Sequence, residues 1–181
     1  MRHIKFGRSL TFDQTEVLED VKLVAMPQLE IISKNISEVM IVAGEIEKRF
    51  GFFVLGYFMP KINRKQKIFQ EQILNSSSFN FNLKRNVVIS MIRENNLLEG
   101  SDLSDFEKIS SKVIKYRNAL AHGSIIYRDR EMNLEYYEGQ KRIKILNDNY
   151  WDLVEDTYKN MQDKLKLLTP MFEKLRQQDN A

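Results

Sequence analysis

The order of secondary structure in this chain is decided by the stretch from Ser104 to Arg128, SDFEKISSKVIKYRNALAHGSIIYR. Up to His122, apolar residues recur at steps of three, four and seven, which is typical of one face of an amphipathic helix. Ser104 and Glu107 have the spacing of a capping box, and Gly123 suits the left-handed position after a helix. This stretch therefore predicts a helix that begins at Ser104 and ends before Gly123.

After Gly123 the pattern changes to a period of two, which indicates β-strands. Three alternating runs follow, namely Ile125–Arg128, Leu134–Tyr137 and Arg142–Leu146. Polar or glycine-containing segments separate them. We therefore expect a β-hairpin or a three-stranded meander, inserted at residues 124–147 before the last long helix.

Two long apolar stripes predict long helices on either side of this region. One stripe runs from Leu29 to Tyr57, and the other runs from Trp151 to Leu175 after the candidate caps Asp148 and Asn149. We expect Pro170 to kink the second helix or to split off its last turns.

Shorter elements complete the predicted fold. A short helix over Leu83–Ile92 should stop before Asn95, residues 97–104 should form a loop, and a further short helix could cover Thr11–Leu23. The absence of an internal repeat or a long linker predicts a single domain over residues 1–181, with residues 1–23 as an extension of unclear role. The expected fold class is mainly α, a helical bundle with a small β insertion.

Composition narrows the function classes. With 43% hydrophobic and 29% charged residues, the sequence is typical of a globular protein. It contains no cysteine, which excludes disulfides, thiolate metal sites and a cysteine nucleophile, and we expect a cytoplasmic protein. The net charge of +3 permits a polyanionic partner without demanding one. The longest apolar stretch, Phe50–Pro60, is about half the roughly 20 residues that cross a bilayer, so we expect no membrane association.

One group of residues carries chemistry. The chain has two histidines, His3 and His122, and neither has the carboxylate neighbours that would suggest a metal site. On a helix, His122 lies about 40° from Asn118 and about 140° from Arg117, whose long side chain can still reach the same place. In the alternative interpretation, Arg117 is an ordinary helix cation and His122 is a cap favoured by the helix dipole.

The segment Tyr116–Gly123 resembles the signature of the HEPN (higher eukaryotes and prokaryotes nucleotide-binding) domain family, an Arg and a His separated by four residues, with a polar residue after the Arg. The resemblance covers residues 82–176 and implies an antiparallel helical bundle. Many such domains are metal-independent endoribonucleases of toxin–antitoxin, abortive-infection or antiviral-defence systems, and others only bind nucleotides or RNA. The resemblance makes Arg117 and His122 the catalytic pair and Asn118 the supporting polar residue. Where toxins of this family often carry a tyrosine two residues after the His, this chain has Ser124.

Metal-free RNA cleavage needs a base for the ribose 2′-OH, a cation for the phosphate and an acid for the leaving 5′-oxygen. His122 suits the base, Arg117 the phosphate clamp and Asn118 the orienting role. One chain lacks an acid, so we expect a homodimer that brings a second His122 into the same cleft. We expect no cofactor, and RNA, a second copy of the chain and an antitoxin or larger defence complex are the expected partners. A non-catalytic HEPN-like binding or regulatory protein is the alternative.

Further residues on predicted α-helical and β-strand segments are candidates for holding RNA. Lys108, Lys112 and Lys115 fall on one helix face, which could follow a row of phosphates or could be an ordinary solvated face. Lys84 and Arg85 add positive charge, and Tyr127, with Tyr136 and Tyr137, could stack on bases or pack within the protein.

Overall fold

The computed structural model describes residues 11–12, 25–61 and 63–178. In this part of the chain helices dominate, and an antiparallel meander precedes the last long helix, which confirms the prediction of a mainly α protein with a small β insertion. The helices are α1 (Met26–Phe58), α2 (Arg64–Phe69, continued by a π-helical turn over Gln70–Leu74), α3 (Phe81–Glu94), α4 (Gly100–His122) and α5 (Asp148–Gln178). The strands are β1 (Thr11–Phe12), β2 (Ser124–Arg128), β3 (Glu131–Glu138) and β4 (Gln140–Ile145).

The sheet is built on two tight turns. Strands β2, β3 and β4 pair antiparallel in sequence order, which confirms the predicted meander. Asp129 and Arg130 join β2 to β3 with φ values of 54° and 62°, the pair of positive angles that defines a type I′ hairpin turn. Gly139, with a φ of 70°, joins β3 to β4. The alternation holds, since Ile125 and Tyr127 of β2 are buried while their neighbours are more exposed.

The N-terminal prediction is wrong at the two residues that can be compared. Thr11 and Phe12 form strand β1, which pairs parallel with Ile126 and Tyr127 of β2, and they are not helical. A sheet edge offers unpaired backbone groups to an incoming segment, and this long-range pairing overrides the local helical pattern. The remainder of the predicted helix over Thr11–Leu23 lies outside the described residues, as does His3.

The start of α4 also differs from the prediction. The helix begins at Gly100, whose φ of 53° lets the chain turn into the helix there, and the backbone N–H groups of Asp102 and Leu103 donate to the carbonyl of Glu99. Ser104 and Glu107 therefore lie inside the helix and do not form its capping box. The loop predicted over residues 97–104 is correspondingly shorter.

Helix α5 continues through Pro170 to Gln178, so of the two predicted effects of the proline, a kink or a split, the split does not occur. Packing on both sides of Pro170 accounts for the continuity. Leu168 is fully buried, and the ring of Phe172 stacks on Phe53 with centroids 4.3 Å apart. These contacts outweigh the local cost of the missing N–H.

Residue contacts divide the chain into two compact units, where the sequence predicts one domain. One comprises the described residues up to Met40 together with Lys115–Glu155, and the other comprises Ile41–Ile114 and the described residues from Asp156 onward. The second unit has an aromatic core, in which buried Phe50 lies 5.7 Å from Phe81 and 6.1 Å from Phe106 between ring centroids. The first unit contains the meander and the last two turns of α4, where the candidate site lies.

Candidate functional site

Gly123 ends α4 for a different reason from the predicted left-handed cap. Its φ is not positive, and its N–H donates to the carbonyl of Ala119 at 2.8 Å. A Cβ atom on Gly123 would lie 2.7 Å from Leu134 Cδ1 and 3.0 Å from the carbonyl oxygen of Glu135. The glycine is therefore required because the helix end and β3 approach closely, and this approach fixes where His122 emerges.

Aromatic packing orients the last two turns of α4. The ring of Tyr116 meets that of Tyr150 edge to face, with centroids 5.9 Å apart, and Tyr150 in turn meets Trp151 at 5.2 Å. Ala119 and Leu120 are buried on the same helix. With these residues turned inward, Asn118 and His122 are left exposed and Arg117 is half-buried.

Of the three predicted catalytic residues, Arg117 and Asn118 are joined by a hydrogen bond. Arg117 Nη1 donates a hydrogen bond of 2.9 Å to Asn118 Oδ1, so the amide orients the guanidinium. Among the residues that the structure describes, Arg117 has no carboxylate partner and the His122 imidazole makes no hydrogen bond. Within this described part of the chain, both groups are thus open to a ligand, and no carboxylate neutralises the charge of Arg117.

No family model, curated protein or solved structure matches this chain. The interpretation of the site therefore depends on its residues and on the resemblance of Tyr116–Gly123 to the HEPN signature. Across residues 11–12, 25–61 and 63–178, no group of three His, Asp or Glu side chains could hold a metal ion, and no helix is long and apolar enough to cross a membrane.

The structure gives Lys84, Arg85 and Tyr127 internal roles. Lys84 Nζ pairs with Glu47 Oε1 at 2.7 Å, and only 11% of its side chain is exposed. Arg85 donates from Nε to Ser110 Oγ at 2.7 Å and from Nη2 to the carbonyl of Glu107 at 2.8 Å, and burial lowers the pKa of its guanidinium. Tyr127 is 2% exposed, so its ring has no free face for a base. We therefore leave these three residues out of the candidate RNA surface.

The three lysines predicted to form a row on α4 also differ in their surroundings. Lys108 and Lys112 are exposed, whereas Lys115 Nζ forms an ion pair of 2.6 Å with Glu138 Oε1 at the end of β3. The hydrogen bond and charge of Lys115, together with the charge of Arg142, lower the pKa of Glu138. Sequence reasoning missed Glu138 and Arg142 as neighbours of the site, because nothing in the local pattern indicates which lysine meets the hairpin.

Proposed function

We propose that this chain is a metal-independent endoribonuclease with a HEPN-like arrangement, acting as a toxin or in antiviral defence. The observation that carries the proposal is the exposed His122 at the last residue of α4, one turn from an Asn118 that already holds Arg117. An imidazole changes its protonation near neutral pH, and a guanidinium binds phosphate through paired donors. Together they supply the proton acceptor and the phosphate clamp that the reaction needs.

In the proposed reaction, His122 accepts the proton of a ribose 2′-OH. The 2′-oxygen forms a bond to the adjacent phosphorus while the bond from phosphorus to the 5′-oxygen breaks. Arg117 stabilises the charge that gathers on the non-bridging oxygens, and Asn118 keeps the guanidinium pointed at them. The products are a 2′,3′-cyclic phosphate and a 5′-OH.

The leaving 5′-oxygen needs a proton from a second group. We propose that a second copy of the chain supplies it, since a two-fold axis beside the end of α4 would bring two His122 side chains to one cleft. One imidazole then acts as base and the other as acid. The site would thus be composite.

Non-catalytic binding of RNA or nucleotides is the second candidate function. One observation favours a role that needs no extended RNA surface, because Lys84, Arg85 and Tyr127 are engaged within the protein and fewer side chains are left to hold a polynucleotide than the sequence suggests. Under this alternative, the chain would bind a nucleotide or RNA, or act as a regulatory partner protein, without cutting RNA.

Incubating the purified protein with single-stranded RNA, with and without EDTA, tests the proposal and separates the two functions. We expect cleavage that EDTA does not suppress, with 2′,3′-cyclic phosphate and 5′-OH ends. Cleavage that EDTA abolishes and Mg²⁺ restores, or products with 5′-phosphate ends, would contradict the mechanism. Binding without cleavage by the wild-type protein would favour the non-catalytic function.

A further inference from the structure

The face of α4 that presents His122 also contacts the β3–β4 hairpin. Lys115, Asn118 and His122 occupy positions i, i+3 and i+7, which places them within about 60° of one another around the helix axis. Lys115 holds Glu138, the last residue of β3. The end of the hairpin is therefore on the helix face that carries the candidate base, about 10 Å along the axis from His122.

Strand β4 brings positive charge to the same side of the sheet. Directly opposite residues in an antiparallel pair point to the same face, and β4 pairs Arg142 with Tyr136 and Lys144 with Leu134. Tyr136 and Leu134 share the face of Glu138, because side chains alternate along a strand. Arg142 and Lys144 thus lie on the Glu138 side, both are exposed, and β4 contains no acidic residue.

We propose that Arg142 and Lys144 form a phosphate-binding arm for single-stranded RNA, and that the Lys115–Glu138 ion pair positions this arm beside His122. The inference rests on the proposed function, since it concerns the substrate of the same site. Proteins most often reach RNA where it is single-stranded, and phosphate contacts from Arg and Lys fix the path of the strand. Lys115 is then a positioning residue, because its ammonium group pairs with the Glu138 carboxylate of the protein.

The same strand provides a matched control. Lys141 is adjacent to Arg142 but points to the opposite face, where it pairs with Glu135 at 2.7 Å. Replacing Lys141 or Arg142 with alanine changes the net charge equally. A general attraction between protein and RNA would respond to both changes, whereas a phosphate contact on the α4 side responds to Arg142→Ala alone.

Protection of the sheet edge is an alternative explanation for the positive charge of β4, because lysines on an exposed edge strand prevent sheets from pairing edge to edge. Under that explanation, removing Arg142 or Lys144 would promote self-association and leave RNA affinity unchanged. Measuring the oligomeric state of every variant by light scattering therefore separates protection of the edge from recognition of RNA.

The experiment measures binding of a labelled, single-stranded 2′-fluoro RNA, which lacks the attacking hydroxyl, by fluorescence anisotropy over a range of salt concentrations. We expect Arg142→Ala and Lys144→Ala each to weaken binding about tenfold. Each should reduce the steepness of the salt dependence by about 0.7 in log Kd per log salt concentration. Lys141→Ala should change the affinity by less than about twofold.

Equal losses of RNA affinity in Arg142→Ala and Lys141→Ala would contradict the proposed phosphate-binding arm. Unchanged RNA binding together with new self-association of the arm variants would contradict it as well. Because the probe cannot be cut by attack of a 2′-OH, this result is independent of catalysis. If wild-type protein fails to cut ordinary RNA while Arg142→Ala still weakens binding, the arm stands and the nuclease proposal fails. If wild-type protein cuts RNA while the arm variants bind normally, the nuclease proposal stands and the arm fails.

Discussion

Two arginines of this chain, Arg85 and Arg117, look alike in sequence and differ in their surroundings. Arg85 donates to Ser110 Oγ and to the carbonyl of Glu107, so the protein itself accepts its hydrogen bonds. Arg117 donates to the exposed amide of Asn118 and has no carboxylate partner among the described residues. A guanidinium whose donors are taken up by the protein serves the fold, and one with free donors and uncompensated charge can serve a ligand.

The largest expected effect is the loss of activity in Arg117→Ala and in His122→Ala. Each should reduce RNA cleavage by about 10²-fold or more, because each removes a group that acts in the transition state. His122 is exposed, and Arg117 donates to the exposed Asn118 and to no buried group among the described residues, so the free energy of unfolding should change by less than about 0.5 kcal/mol. Cleavage rates and urea denaturation of the same preparations test this pair of expectations, and normal cleavage by both variants would show that the site is elsewhere.

Arg85→Ala should instead lower the stability of the protein and leave its cleavage activity intact. It removes hydrogen bonds to the buried Ser110 and to a backbone carbonyl, which should lower the free energy of unfolding by about 1–3 kcal/mol. Cleavage per folded molecule should be unchanged. Lys108→Ala is a suitable control, since Lys108 is exposed on α4 and its loss should cost less than about 0.5 kcal/mol. Wild-type stability in Arg85→Ala would remove the distinction between the two arginines.

A smaller effect is expected from reversing the Lys115–Glu138 pair. Exposed ion pairs contribute about 0.2–1 kcal/mol, so Lys115→Glu alone should reduce RNA affinity only a few-fold. Adding Glu138→Lys restores an attractive pair and should recover most of the loss. If Lys115 instead contacts phosphate directly, as its place in the α4 row predicts, the double variant should stay as weak as the single one.

The sequence predicts the parts of this fold that depend on local periodicity. The stripes of α1 and α5 and the alternation after Gly123 identify the long helices and the meander, and the segment Tyr116–Gly123 coincides with the end of a helix. The roles of Lys84 and Arg85 could not be predicted, because their partners Glu47 and Ser110 are 37 and 25 residues away in sequence. Gly123 shows the same limit of sequence-based prediction. A local rule for helix ends predicts a glycine at this position, but the glycine is required because β3 approaches the end of α4 closely.

Among the described residues, Arg117 has no carboxylate partner and the His122 imidazole makes no hydrogen bond, and we propose that RNA and a second copy of the chain complete the site. Mixing equal amounts of wild-type and His122→Ala chains and allowing them to reassort tests it directly. If a dimer needs both imidazoles, random pairing leaves about one quarter of the dimers intact, and activity should fall to about 25% of the wild-type value. A residual activity of about 50%, or full activity from a monomer, would show that each chain carries a complete site.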